Sequence, residues 1–313
     1  MVNKHKYNTS QLFNFSKESY LERTSRPIYA IVFLLPFIVF YEIGTILINT
    51  DVLNQAQVRV VAFVWLQNFL EYIGFGSKLA WATPPLAVVV ALVGMQLVSR
   101  KRWHFGFSDI WPMAVECILL AVPLIVLSFF LSSPRTVGIG AVQFNGNPMW
   151  IQVEAEADSS AVAGGGSEAI EAEGGGAGRG LLLADIVTGI GAGIYEELVF
   201  RLILICFLMF VFEDSLGFSR RNSIVISVLI SAALFSAHHH IDFFTGRLNQ
   251  RDLFSWAKFG FRTIAGIYFA VLFAIRGFGI TAGTHAFYDI IATIINALFF
   301  PGGEKLAGWF FVS

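Results

Sequence analysis

The chain has 313 residues, of which 56% are hydrophobic, 15% aromatic and only 14% charged, and its mean hydropathy of +0.67 is too high for a soluble domain of this length. A formal net charge of −1 leaves no broad basic surface and so excludes nucleic acid as a partner. The two cysteines, Cys117 and Cys206, stand singly inside apolar runs and read as small packing residues, which excludes a disulfide framework or a zinc knuckle.

Taken in chain order, residues 1–27 form a polar segment with Lys4, Lys6, Lys17, Arg23 and Arg26 ahead of the first apolar run. It is too long, and followed by no small-residue cleavage site, to be a removable signal, and the positive-inside rule predicts that it is cytoplasmic. Residues 28–150 then carry the first membrane helices. The run from Ile28 to Asn49 has the roughly 20 residues needed to cross about 30 Å of hydrocarbon. The stretch from Val58 to Ile73 is interrupted by Gln67, Asn68 and Glu71. Leu79 to Ser99 is a span that ends in Arg100, Lys101 and Arg102, and the charge rule puts that basic run on the side of the N-terminus only if the interrupted stretch is interfacial or re-entrant. Trp111 to Leu131 spans next, with Pro123 as a tolerated kink.

Residues 151–180 change abruptly to Gly, Ala, Glu and Ser, including Gly164-Gly165-Gly166 and Gly174-Gly175-Gly176. Such a composition cannot offset its ordering entropy by burial and predicts a flexible, acidic linker outside the membrane. Residues 181–313 then hold four further apolar runs, Leu181 to Phe212, Ile224 to His240, Trp256 to Arg276 and Gly279 to Phe300. The expected fold is all-α, a polytopic transmembrane bundle of seven or eight helices in a multi-pass integral membrane protein whose first partner is the lipid bilayer.

Ionisable side chains at membrane depth are costly, so each is a functional candidate. Three groups lie in the second half. In Glu196-Glu197-Leu-Val-Phe-Arg201, Glu197 and Arg201 are i,i+4 neighbours with the acid N-terminal to the base, the better orientation for a helical ion pair. Glu196 points away from that pair, on the side of Gly189, Ala192 and Gly193, where small residues let another helix approach. The pair reads equally as a buried scaffold or as part of a site, whereas Glu196 reads as functional. In Phe235-Ser-Ala-His238-His239-His240, consecutive imidazoles point about 100° apart and cannot all serve one site. His238 and Asp242, at i,i+4, make a rival metal-binding pair. In His285-Ala-Phe-Tyr-Asp289, imidazole and carboxylate share a helix face, as a packing hydrogen bond or as contacts to a common ligand.

Read together and in order, these groups resemble the EExxxR, FxxxH and HxxxN/D motifs of the CPBP intramembrane proteases, a family that includes the type II CAAX prenyl endopeptidases and ABI-like self-immunity proteins. The resemblance covers residues 181–300. It implies an intramembrane endopeptidase in which Glu196 activates the attacking water with help from His239, His285 and Asp289 stabilise the oxyanion, and Glu197 and Arg201 support the site. Asp289 stands where the prenyl endopeptidases generally have Asn, and an ionised carboxylate repels an oxyanion, so it must be protonated, act through His285, or bind a cation. Members of this family are labelled metalloproteases, and a metal-free glutamate-activated water is the other accepted reading. Glu196, His239, His285 and Asp289 would be the donors to a zinc-like ion, but no HExxH is present, and the metal-free reading is preferred. The expected substrate is a peptide or membrane protein, with or without a lipid tail.

Two readings from other classes stand beside this one. A proton- or metal-ion-coupled transporter would need polar residues in both halves, and the first half offers only Glu42 and Glu116 as isolated intramembrane acids. A non-proteolytic interaction or immunity protein of the same family would not need the motif residues retained.

Overall fold

A computed structural model of the chain describes residues 16, 18–51, 60–74, 82–132, 174–241, 243 and 254–299. Helices occupy most of them, and among the described residues there is no sheet. In order they are α1 Tyr20–Thr24, α2 Pro27–Asp51, α3 Val61–Tyr72, α4 Thr83–Ser99, α5 Ile110–Ser132, α6 Gly174–Glu197, α7 Cys206–Met209, α8 Arg220–His238, α9 Trp256–Arg276 and α10 Phe278–Phe299. A π-helical segment, Leu198–Ile205, joins α6 to α7, and a second, Phe210–Ser215, follows α7. Most of the N-terminal polar segment, the linker residues 151–173, Asp242 and residues 300–313 lie outside the described residues. Within the range read as linker, α6 begins at Gly174, ahead of the apolar run at Leu181.

Among the described residues five helical stretches are long and apolar enough to cross a bilayer: Pro27–Ile48, Phe107–Leu131, Arg220–His238, Trp256–Arg276 and Phe278–Phe299. Helix α4 is apolar but has 17 residues. The run from α6 through α7 is longer than any of the five and carries Asp185, Glu196, Glu197 and Arg201 in its course. The architecture is therefore the polytopic all-α bundle that composition and run length predict, and the chain is an integral membrane protein.

The directions of α2, α4, α5 and α9 follow from the polar contacts gathered at the end of the bundle where α1 lies. The amide of Ile28 at the start of α2 donates to Gln96 Oε1 near the end of α4, at 3.1 Å, so α2 and α4 run antiparallel. Helix α3, with 12 residues and about 18 Å of rise, lies between them and makes no additional crossing. Asp109 at the start of α5 takes Arg23 on both oxygens, at 2.9 and 3.0 Å, and the Tyr29 hydroxyl at 2.9 Å. Arg276, at the end of α9, donates twice to Glu116 on α5 and also reaches Leu21 O, Ser25 Oγ and Thr24 Oγ1. These charged groups are mutually paired where a single buried charge would be costly.

Glycines set the closest approaches. Gly277, the only residue between α9 and α10, adopts φ +77°, a conformation that strains any residue with a Cβ, and its amide closes α9 by donating to Phe273 O. Gly283 on α10 faces Phe33 and Cys117, Gly266 on α9 faces Ala232 on α8, and Gly193 on α6 faces the backbone of Ala286 on α10. Of the two cysteines, Cys117 is buried in this core, while Cys206 is exposed on the apolar outer surface, where packing against protein does not involve it.

Candidate active site

Glu196, Glu197, Arg201, His238, His239, His240, His285 and Asp289 are all buried, with Glu197, Arg201 and His285 fully so. Their convergence has a local cause. At Gly193 a Cβ would lie 2.5 Å from the Ala286 amide nitrogen, so only glycine lets α6 and α10 come this close, and the residues one turn further along α6 meet His285. The π-helical segment begins directly after Glu197. Such widened turns often accompany functional sites.

Glu197 has two partners. Its Oε2 is 3.0 Å from Arg201 Nε, the i,i+4 ion pair expected from the spacing, although the angle makes it a contact of charges more than an aligned hydrogen bond. Its Oε1 accepts from His285 Nδ1 at 2.8 Å. The Arg201 guanidinium lies 4.2 Å above the Phe235 ring and donates to Gly266 O at 3.4 Å, so one arginine touches α6, α8 and α9. The His285 ring stacks on Phe269, with centroids 4.6 Å apart and planes 16° from parallel. Glu197 and Arg201 thereby fix one side of His285, because the nitrogen that donates to Glu197 determines which nitrogen faces inward.

That inward nitrogen, Nε2, is 4.0 Å from Glu196 Oε2 and 3.6 Å from Asp289 Oδ2. Glu196 Oε1 is 3.4 Å from His238 Nε2, and the other ring nitrogen of His238 bonds to Phe235 O. A carbonyl only accepts, so His238 Nδ1 carries the hydrogen. His239 packs edge-on against Phe235 and beside His238, with ring centroids 4.0 Å apart in the latter pair. Its ligating nitrogen, that of His238 and a Glu196 oxygen all fall within 4.8 Å of one another.

The structure thus gathers Glu196, His238, His239, His285 and Asp289 into one cluster, with Glu197 and Arg201 behind it. Among the described residues the group whose ligand atoms lie close enough to share a metal ion is Glu196, His238 and His239, a different set from the candidates Glu196, His239, His285 and Asp289 expected from the motifs. His240 is turned away, accepting from Arg262 Nη1 at 3.4 Å among Phe254 and Phe259. Two neighbours escape a reading based on motifs. Arg262 is fully buried on α9, and its signal was a lone arginine inside the apolar run from Trp256. Trp65 on α3 meets the edge of His238 at 5.7 Å, and an isolated tryptophan in an apolar stretch carries no such signal.

Glu196 Oε2 and Asp289 Oδ1 make no hydrogen bond among the described residues, although buried oxygens are nearly always satisfied. Glu196 Oε2 lies 4.0 Å from His285 Nε2, and the other Asp289 oxygen, Oδ2, lies 3.6 Å from the same nitrogen, so carboxylates and an imidazole meet there. Such a cluster suits acid–base chemistry on a water molecule.

No curated protein and no solved structure matches the chain. A family model does match, over residues 178–291, a range that opens within α6 and closes just past Asp289. Its description is type II CAAX prenyl endopeptidase Rce1-like, a family of CAAX-type proteases. All three polar groups fall inside that range, and residues 178–291 of this membrane protein are therefore a domain of the type II CAAX prenyl endopeptidase Rce1-like family.

Proposed function

We propose that the protein is an intramembrane endopeptidase that hydrolyses a peptide bond in a membrane-associated substrate through a water activated by Glu196. The observation that carries this reading is the position of the Glu196 carboxylate, 3.4 Å from His238 and 4.0 Å from His285 at the meeting of α6, α8 and α10. Glu196 takes a proton from the water as its oxygen attacks the carbonyl carbon, and later returns that proton to the leaving amine. His239 shares the water with Glu196, since a distance within 4.8 Å is what one bridging water spans. His238 holds the carboxylate from the other side.

The carbonyl oxygen becomes an oxyanion that His285, carrying a proton on each nitrogen among the carboxylates of Glu196, Glu197 and Asp289, stabilises by donating from Nε2 while Nδ1 donates to Glu197. Asp289, 3.6 Å away, acts through that imidazole and not on the oxyanion itself. This removes the difficulty of a carboxylate where the prenyl endopeptidases generally have Asn. Glu197 and Arg201 hold His285 and α8 in register.

No metal is required in this scheme. The two imidazole nitrogens and one carboxylate oxygen of Glu196, His238 and His239 do match the donor types of a catalytic zinc site with an open position. A bound zinc would supply Lewis-acid polarisation there. In the metal-free arrangement His238 carries a proton on Nε2 as well as on Nδ1 and donates it to the ionised Glu196 Oε1 at 3.4 Å.

The N-terminus is cytoplasmic in this reading. Arg23, Arg26, Arg100, Lys101, Arg102 and Arg276 cluster at one end of the bundle, as the positive-inside rule expects of a cytoplasmic face. The isolated acids of the first half, which a proton relay would need, are engaged otherwise: Glu42 accepts from Tyr195, and Glu116 pairs with Arg276.

The test is cleavage of a library of peptides and membrane proteins, lipidated and plain, by purified wild type and Glu196→Gln. The variant keeps the shape and removes the base, and cleavage should fall by about 10²–10⁴-fold. Full activity in Glu196→Gln would overturn the mechanism.

A further inference from the structure

Glu196, His238 and His239 are 3%, 5% and 6% exposed, so a polypeptide cannot reach them unless one wall of the site gives way. Two of the walls are locked by backbone approach, α6 on α10 at Gly193 and α9 on α8 at Gly266, and a third by tight packing, Gly283 of α10 against the Phe33 and Cys117 side chains, with Cys117 Sγ donating to Ile280 O. Parting any of these seams also breaks buried polar links, among them those of Glu197 to His285 and of Arg201 to Gly266 O.

The fourth wall is different in kind. Helix α3 meets the site through rings. Phe63 anchors it, packed between Tyr41 and Tyr195, with centroids 5.8 and 4.9 Å away. Trp65 follows two positions later and points to another side of the helix. Its indole meets the edges of His238 at 5.7 Å and Phe200 at 6.3 Å, and stacks at 5.4 Å on Phe243, which is itself exposed. A change of rotamer at Trp65 uncovers the outer edge of His238 while Phe63 keeps α3 in place. It sacrifices aromatic contacts worth about 0.5–1.5 kcal/mol per pair, and breaks no backbone seam.

We propose that Trp65 is the substrate-side wall of this site, the residue whose indole an apolar group of the substrate displaces to bring the scissile bond to Glu196. Trp65 lies outside the matched residues 178–291, in the half of the chain that no comparison covers. The displaced ring and its replacement occupy the same pocket, bordered by Phe200, Phe243 and the His238 edge. This inference rests on the peptidase reading for its substrate and on geometry alone for the wall.

The two parts are tested separately. Full-length protein in detergent is treated with diethyl pyrocarbonate, and the carbethoxylation rate of each histidine is read by mass spectrometry. Exposed His104 serves as the internal reference. In Trp65→Ala, His238 should react about tenfold faster relative to His104, the equivalent of one aromatic pair removed. In Trp65→Phe the gain should be smaller, and His285, enclosed by Glu197 and Phe269, should stay slow in both. An unchanged His238 rate in Trp65→Ala overturns the proposal, as does a parallel rise at His285 in both variants, which would mean the whole site loosens. With cleavable peptides, Trp65→Ala should shift preference toward larger apolar groups through KM, with kcat nearly kept. If no peptide or membrane protein is cleaved even by wild type, the peptidase reading fails while the labelling result stands.

Discussion

Gly193 on α6 and Ala286 on α10 touch backbone to backbone. A Cβ at position 193 would lie 2.5 Å from the Ala286 nitrogen and 2.7 Å from its Cα. Neither atom is the end of a flexible side chain, so the two helices would have to separate. Gly193→Ala should destabilise the protein by about 1–3 kcal/mol, the usual cost of overpacking, and should lower activity more than stability because His285 moves with α10. Gly94 on α4 has nothing within 4 Å of its missing Cβ. Gly94→Ala should be neutral or stabilising by up to about 1 kcal/mol, as for any helical glycine with room. Thermal unfolding in one detergent, run on both variants, checks the opposite signs.

The charged junction at the far end of α10 makes a second prediction. Arg276 and Glu116 meet at 2.6 and 2.8 Å, with side chains 6% and 19% exposed. Removing one partner leaves the other charge desolvated, so Arg276→Ala and Glu116→Ala should each cost about 3 kcal/mol. The double variant should cost clearly less than their sum, by about 0.5–3 kcal/mol of coupling. Additive losses in a double-mutant cycle would mean that the two side chains do not act as a pair.

The histidine triplet supplies the third. His239→Ala removes the imidazole that shares the water with Glu196, and kcat should fall by about 10²–10⁴-fold. His238→Ala removes a hydrogen bond that orients the same carboxylate and should cost less. His240→Ala affects a residue facing Arg262 and should leave kcat within a few-fold of wild type. Steady-state kinetics on one substrate ranks the three. A larger loss at position 238 than at 239 would transfer the proton-sharing role to His238.

Much of this site was legible in the sequence. The i,i+4 spacings of Glu197 with Arg201 and of His285 with Asp289 translated directly into contacts at 3.0 and 3.6 Å, because helix geometry is local. The close approach of α10 beside Glu196 followed from Gly193, since a small residue on the same face is what lets a second helix approach. Which histidine meets Glu196 was not legible. His238 and His239 are one residue apart at the point where α8 ends, so their directions depend on how the helix terminates and not on the 100° step. Trp65 was invisible for another reason. It reaches the site from α3, a helix too short to span, and only the antiparallel arrangement of α2 and α4 shows on which side α3 sits.

Metal chelation separates the two chemistries that this donor set allows. Glu196, His238 and His239 offer ligand atoms within 4.8 Å of one another, so the residues alone are compatible with zinc. In the metal-free mechanism the Glu196 carboxylate is held by His238 at 3.4 Å, and removing divalent ions changes nothing at the site. Cleavage by protein purified without added metal should then persist through prolonged dialysis against a strong chelator, with kcat/KM unchanged, since no transition-state stabilisation is lost. Inhibition by phenanthroline that a non-chelating isomer reproduces would be occupancy of an apolar pocket and would leave the mechanism intact. Loss of activity in the chelator, restored by stoichiometric zinc and accompanied by zinc in the purified protein that disappears in His238→Ala or His239→Ala, would replace the glutamate-activated water with a metal-bound one. Glu196 would then be a ligand, and Glu196→Gln would lose metal together with activity.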